Sequence, residues 1–250
     1  MEDCYVALDL ETTGLSAKKD RIIEIGAVSV ENGEIRNTFS TLVNPRRQLP
    51  DCVVKMTGIT QKSVDRAPQI EEILTDLSVF IGDRVLLGHQ ILFDYSFLKR
   101  AYVNAGKTFE KRGIDTLKLS RKYLKDLPSK RLPDLCRYYG IPQRAHRALE
   151  DALAAHYLYQ KLKEDFYGNG SFAARSDCGE ENCVECVEKD FSPRTLVYKV
   201  KKESPAGKRQ IERLLSLLAR HKLSIPIEVD SMSKNEVSRL TDQIVAKYGR

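Results

Sequence analysis

"VALDLETTG", Val6 to Gly14, opens like a buried strand and closes in a turn. Two acids, Asp9 and Glu11, interrupt its apolar residues. Residues two apart on a strand point to the same side. Asp9 and Glu11 therefore share a face, about 7 Å apart at roughly 3.3 Å per residue. Val6, Leu8 and Leu10 take the opposite face and anchor the strand. Two carboxylates this close repel and do not both stay ionised without positive charge between them. A pair of divalent cations about 3.5–4 Å apart meets that need, and hard oxygen donors select Mg²⁺ or Mn²⁺ over zinc. The competing reading is a strand edge with two solvated acids. Thr12-Thr13-Gly14 counts against it, because the strand then turns sharply with hydroxyls and amides on show.

The flanking sequence supplies a sheet around that strand. "RIIEIGAVSVE" (Arg21–Glu31) and "EIRNTFSTLVNP" (Glu34–Pro45) read as strands. Asn32-Gly33 between them suits a two-residue hairpin, in which both central residues need positive φ. Three strands in an antiparallel meander are expected. "QIEEILTDLSVFIG" (Gln69–Gly82) carries Ile70, Ile73, Leu74, Leu77 and Ile81 at helical spacing. "VLLGH" (Val85–His89) reads as a short buried strand, and "DYSFLKRAYVNAG" (Asp94–Gly106) as a helix closed by glycine. A strand near Gly113–Thr116 and helices near Leu132–Tyr139 and Arg147–Lys163 follow. Strands first, then strands alternating with helices, predict an α/β fold with a mixed sheet covered by helices.

More acids lie along this frame. "GHQILFDYSFL" (Gly88–Leu98) puts Asp94 where a helix begins. On its own it reads first as a helix N-cap, worth about 1 kcal/mol. "AHRALEDALAAH" (Ala145–His156) puts His146 at a helix start and Asp151 inside the helix. Each signal is bland alone; an Asp on a helix surface is common.

Taken in order, "DLETTG", "GHQILFDYSFL" and "HRALED" resemble the three exonuclease motifs of the DEDD superfamily in its histidine variant, the group that holds the proofreading epsilon subunit of bacterial DNA polymerase III and related RNA-trimming exonucleases. The resemblance covers about Met1–Asp165. It implies a ribonuclease-H-like fold with a five-stranded mixed sheet. It also implies 3′→5′ hydrolysis of single-stranded nucleic acid to nucleoside 5′-monophosphates. By the same resemblance Asp9, Glu11, Asp94 and Asp151 hold two Mg²⁺ or Mn²⁺ ions, and His146 is the general base of a two-metal displacement. Thr12, Thr13, Gly14 and His89 are the expected contacts to the terminal nucleotide; Phe93 and Phe97 are candidates to stack on a base, and both read equally as core of their helix. Two residues depart from the family pattern. Gln90 stands where Asn is usual, and Thr57 in "KMTGIT" (Lys55–Thr60) stands where many relatives have His. DNA is the favoured substrate. The alternatives are RNA 3′-end trimming and an inactive nucleic-acid-binding module, against which the full set of catalytic side chains argues.

Composition shifts after Glu164. "YGNGSFAARSD" (Tyr167–Asp177) reads as linker. Cys178, Cys183 and Cys186 follow with the spacing of half a zinc site. His221 or Asp177 would have to complete it, and a loop with incidental thiols is the alternative. The chain divides accordingly into an exonuclease domain (1–165), a linker with the cysteine cluster (166–207) and a small helical module (208–250). In the last, "KRQIERLLSLLARH" (Lys208–His221) places Ile211, Leu214, Leu215 and Leu218 on one face. "SKNEVSRLTDQIVAKYG" (Ser233–Gly249) opens on the capping-box spacing of Ser233 and Glu236. The module carries 9 Lys/Arg against 5 Asp/Glu, which is +4 of the chain's formal +6. Two readings are open: the helices pad the nuclease domain or form a small hairpin of their own, or they make a basic handle that binds the strand or docks a replication or repair protein. The chain has 42% hydrophobic residues, yet no apolar run approaches the roughly 20 residues of a membrane helix. No signal peptide is read at the start. Six cysteines are too few for a disulfide framework in 250 residues, so a reducing, cytoplasmic setting is expected.

Overall fold

The computed structural model describes residues 4–143, 145–167, 184–200 and 204–249. Strands β1 (Tyr5–Thr12), β2 (Ile22–Glu31) and β3 (Glu34–Leu42) form the antiparallel meander. Asn32 and Gly33 turn it with φ of 53° and 79°, the left-handed pair that the hairpin requires. Beyond β1 lie two parallel neighbours, β4 (Val85–Gly88) and β5 (Arg112–Asp115), and then antiparallel β6 (Arg194–Thr195). The sheet order is β3-β2-β1-β4-β5-β6, six strands where five were expected. The extra strand is two residues long, too short to show a period of two.

Helices cover both faces, and β1 dictates which. Tyr5 and Ala7 pack into one core with Leu119 and Tyr123 of α5 (Thr116–Tyr123), Leu135 of α6 (Leu132–Tyr139) and Ala152, Ala155 and Tyr159 of α7 (Ala148–Phe166). Val6, Leu8 and Leu10 pack into the other, with Leu74 and Leu77 of α3 (Ile70–Ile81) and Tyr95 and Leu98 of α4 (Leu92–Asn104). Asp9 and Glu11 continue the Tyr5–Ala7 face, so they point toward the layer of α7. The short helices α1 (Asp51–Thr57) and α2 (Gln61–Asp65) close a satellite core of Ile23, Leu49, Val53, Ile59 and Val64.

The segment read as linker is partly nuclease core. In α8 (Val184–Phe191), Val187 and Phe191 are buried against the α7 layer. Leu196, just past β6, fills the space beside Gly113, where an added Cβ would lie 2.7 Å from Leu196 Cδ1. A boundary at 165 therefore leaves out side chains on which both cores close. Cys178 and Cys183 lie outside the described residues, as does the Cys186 side chain, and so does the zinc expectation built on them.

The C-terminal module has its own small core. Leu214, Leu217 and Leu218 of α9 (Lys208–Arg220) meet Val237 and Ile244 of α10 (Lys234–Tyr248) and Met232. Leu215, expected inside, is 48% exposed. The partner helix lies against a stripe one residue further round, which Leu217 fills. The expected capping box is present: Glu236 N donates to Ser233 Oγ at 3.3 Å, and Ser233 N donates to Glu236 Oε2 at 2.9 Å. The His221 ring stacks on Tyr248, with centroids 5.6 Å apart. Among the described residues no helix is long and apolar enough to cross a membrane.

Candidate active site

Strand β1 runs past the end of β4, which pairs only with Tyr5, Val6 and Ala7. The Leu10 N–H therefore has no strand partner on that side, and Asp94 Oδ1 accepts it at 3.1 Å. Asp94 sits in the first turn of α4 rather than at its N-cap, because the helix begins two residues earlier than expected. The contact carries a carboxylate from the α4 layer to the open end of β1, beside Asp9.

From the other layer, α7 brings Asp151. The N-cap of this helix, Arg147, gives no side-chain cap. Glu24 of β2 does the work instead. Its Oε2 accepts Ala148 N at 3.0 Å, and its Oε1 takes the Arg147 Nη2 and Nε donors at 2.7 and 3.0 Å. Glu24 lies directly across the strand pair from Glu11. Two like charges so placed are unfavourable, and Arg147 offsets part of that. The backbone of α7 rests on β2 at Gly26, the partner of Asp9: an added Cβ there would lie 2.1 Å from Ala148 C. Just after Glu11 the register slips by one residue, a bulge that turns the chain into the Thr12–Gly14 loop.

Glu11, His146 and Asp151 each offer a ligand atom, and these atoms lie within 4.8 Å of one another. Asp151 Oδ2 accepts His146 N at 2.9 Å, while Gln143 Nε2 donates to Oδ1. His146 adopts φ of 67°, in the left-handed region, and its ring is exposed at the mouth of the site. The bond to Asp151 holds that uncommon backbone.

Electrostatics separate this cluster from ordinary surface acids. Burial raises Asp9 well above the usual carboxylate range, with Asp94, Asp151, Glu11 and Glu24 adding repulsion. Burial, then Asp151 and Glu24, pushes Glu11 up to about 7, and Arg147 opposes. Asp94 is raised by burial against the pull of backbone N–H groups, including that of Leu10. Asp151 is raised by burial against its bonds to Gln143 and His146. Arg147 is a cation beside Glu11 in that balance, and its guanidinium also bonds Glu24. Four oxygen-donor side chains held close and short of positive charge are the donor set a hard divalent cation fits.

The expected nucleotide contacts divide. Thr12 and Thr13 are buried and use their hydroxyls inside the turn: Thr12 Oγ1 donates to Gly14 O at 2.7 Å, and Thr13 Oγ1 accepts Arg21 N at 3.0 Å. The turn then presents Leu15, which is 89% exposed. Both His89 nitrogens are engaged, Nε2 with Lys130 O at 2.8 Å and Nδ1 with Thr116 Oγ1 at 2.9 Å, so the ring braces the loop after β4. Phe97 is core, and Phe93 lies half-buried against it with centroids 5.0 Å apart. Gln90 takes φ of 74°, a conformation that Asn adopts more readily. Thr57 turns inward and donates to Val53 O at 2.9 Å.

Sequence reasoning missed Glu24, Gln143 and Arg147, the residues that seat α7 and Asp151. One signal for Glu24 was available: it is a single acid within the apolar run Ile22–Ile25. Gln143 carried none.

The exonuclease family model matches residues 6–159. The chain belongs to the exonuclease family. A PolC-type DNA polymerase III of Clostridium perfringens is 39% identical over 169 residues, which is 66% of this chain and 12% of that protein. That of Bacillus subtilis is 38% identical over 167 residues, again 66% of this chain and 12% of the relative. The chain thus matches about an eighth of the length of these polymerases. Among solved structures, Exonuclease X in complex with 5′ overhanging duplex DNA aligns with a TM-score of 0.54 at 23% identity, over 73% of this chain and 99% of that one. The nuclease domain of 3′hExo, a DEDDh family member bound to rAMP, aligns at 0.57 and 24%, over 65% and 92%. These likenesses share the fold of this exonuclease-family chain.

Proposed function

We propose that this exonuclease-family protein removes nucleotides from the 3′ end of single-stranded DNA. The carrying observation is the convergence of Asp9, Glu11, Asp94 and Asp151, whose carboxyl pKa values burial raises, beside the exposed ring of His146. The four carboxylates would hold two divalent cations, Mg²⁺ or Mn²⁺. When bound, such cations polarise the scissile phosphodiester and acidify the attacking water.

The chain's own residues supply the rest. The His146 ring nitrogen takes the proton of the attacking water as general base. Asp151 fixes where that ring stands by accepting the His146 backbone N–H. Glu24 and Arg147 fix α7, and with it both residues. The turn after Glu11 meets the terminal nucleotide with its backbone and with Leu15, whose exposed side chain offers an apolar surface to a base. DNA is favoured because the relatives at 38–39% identity are DNA polymerases. Editing or repair of DNA 3′ ends is the corresponding role.

The assignment is tested with Asp151→Asn and His146→Ala on a labelled single-stranded DNA with Mg²⁺. Asp151→Asn should abolish hydrolysis. His146→Ala should lower kcat by about 10²–10⁴-fold, the range for loss of a general base. EDTA should stop the wild-type reaction. A His146→Ala protein that cleaves at the wild-type rate would remove His146 from the mechanism.

A further inference from the structure

The C-terminal module meets the nuclease body behind the turn that runs from Thr13 to Arg21. This turn closes on itself: Thr13 N donates to Arg21 O at 2.8 Å, and Ser16 N donates to Asp20 Oδ2 at 2.9 Å. The Asp20 carboxylate packs against Gly14, where an added Cβ would lie 2.7 Å away. Any shift of Asp20 is therefore felt at Gly14 and Leu15.

Two arginines grip the back of this turn. Arg47 Nη1 donates to Lys19 O at 2.6 Å, and Arg21 Nη1 donates to Asp20 O at 3.2 Å. The module holds both of them. Glu236, at the start of α10, accepts Arg21 Nη2 at 3.3 and 3.4 Å. The side chains of this pair are only 26% and 12% exposed, so water screens it less than a surface pair. Arg47 lies in a strip that pairs antiparallel with the module: Gln48 N donates to Pro226 O at 2.7 Å and Glu228 N to Arg46 O at 3.1 Å. Arg46 Nε also reaches Glu228 Oε2 at 3.3 Å. Among the described residues Arg47 Nε is buried without a hydrogen-bond partner. A buried donor left unsatisfied costs stability, so the contacts that fix the rest of the guanidinium outweigh that loss.

We propose that the C-terminal module braces the substrate turn, with Glu236 and Arg47 as positioning residues that act through Lys19, Asp20 and Arg21 on the Gly14–Leu15 segment. The proposal rests on the exonuclease reading for the role of that segment. His146 and Asp151 hang instead on α7, which Glu24 of β2 seats through Ala148 N and Arg147. The brace therefore bears on binding of the terminal nucleotide and not on proton transfer.

The test uses the full chain with Glu236→Gln and, separately, Arg47→Met. Glutamine keeps the capping-box acceptor and loses the charge; methionine keeps an apolar stem and loses the guanidinium. Hydrogen exchange at the Thr13, Ser16, Asp20 and Arg21 amides should quicken about tenfold, while α7 amides stay at wild-type rates. KM for labelled single-stranded DNA should rise about tenfold with kcat within about twofold, and Arg47→Lys should recover part of the loss. Wild-type exchange and wild-type KM in both variants would overturn the brace, as would a fall in kcat at constant KM. If α10 amides also lose protection in Glu236→Gln, Arg47→Met carries the test from the nuclease side. If the wild-type protein cleaves nothing, the exonuclease reading fails, and turn exchange alone decides: faster exchange supports the brace and unchanged exchange refutes it.

Discussion

Glu11 shows what a single residue in this site costs. In the unfolded chain its carboxyl ionises near 4.5; in the folded protein burial and the neighbouring acids hold it near 7. Between those values the folded state keeps a proton that the unfolded state has lost. Stability from this group is therefore present at low pH and lost as pH rises toward 7. In EDTA at about pH 8, Glu11→Gln should be more stable than wild type by about 1–3 kcal/mol, an advantage that fades toward about pH 5. With saturating Mg²⁺ the order should reverse, because the wild-type site then gains a ligand-binding stabilisation that the variant lacks. Denaturant titrations at the two pH values check both statements. A variant no more stable than wild type in EDTA at the higher pH would mean that the acids are not frustrated as described. The Asp9–Glu11 pair was legible in sequence because a period of two is a strong signal and acids within it stand out. Glu24, 124 residues from the Ala148 amide it caps, was not: its role exists only once β2 and α7 touch.

At the scale of elements, α7 depends on β2 having no side chain at Gly26. Gly26→Ala should force the first turn of α7 away from the sheet, since the new methyl would overlap the Ala148–Leu149 peptide. Packed interiors do not absorb such an overlap without moving. Asp151 and His146 ride on that turn, so activity should fall by more than about 10²-fold, the cost of misplaced catalytic groups. Circular dichroism would verify that the variant stays folded, and activity at the wild-type level would show that α7 is seated otherwise. Long periodic elements were readable: α3, β2, β3 and α10 lie within a few residues of their expected bounds, and the Asn32-Gly33 turn and the Ser233–Glu236 capping box are present. Of the short ones, β4, β5 and α6 lie at their expected places, whereas α1, α2, α5, α8 and β6 were not read. Helix α1 begins after Pro50 without a side-chain cap, and β6 has two residues. Helix α8 abuts a polar stretch, and its Phe191 declares itself only against the α7 layer. The buried face of α9 was placed one residue off because helical spacing fixes a stripe, while the partner helix decides which side of it is covered.

At the scale of the whole molecule, the nuclease body closes on Val187, Phe191 and Leu196, and the module folds around a separate core. A chain ending at residue 200 should remain folded and keep metal-dependent nuclease activity with a raised KM. A chain ending at 165 should melt about 10 °C lower, because losing a buried aromatic such as Phe191 alone costs about 3–5 kcal/mol. Calorimetry of the two truncations checks this, and equal melting temperatures would return the boundary to 165. The salt dependence of DNA binding by the chain ending at 200 also separates two roles for the module. A slope equal to that of the full chain leaves the brace as the cause of the KM change; a shallower slope adds direct phosphate contacts from its basic side chains.

The central claim is a metal-dependent attack at the 3′ terminus, and its most direct measurement follows products. The 250-residue chain is incubated with Mg²⁺ and single-stranded DNA labelled at the 5′ end, and both the shortened strands and the released nucleotides are identified. The account predicts a ladder shortening one residue at a time from the 3′ end, release of nucleoside 5′-monophosphates, and loss of both in Asp94→Asn. Internal cleavage, release of 3′-monophosphates, or undiminished hydrolysis by Asp94→Asn would contradict it.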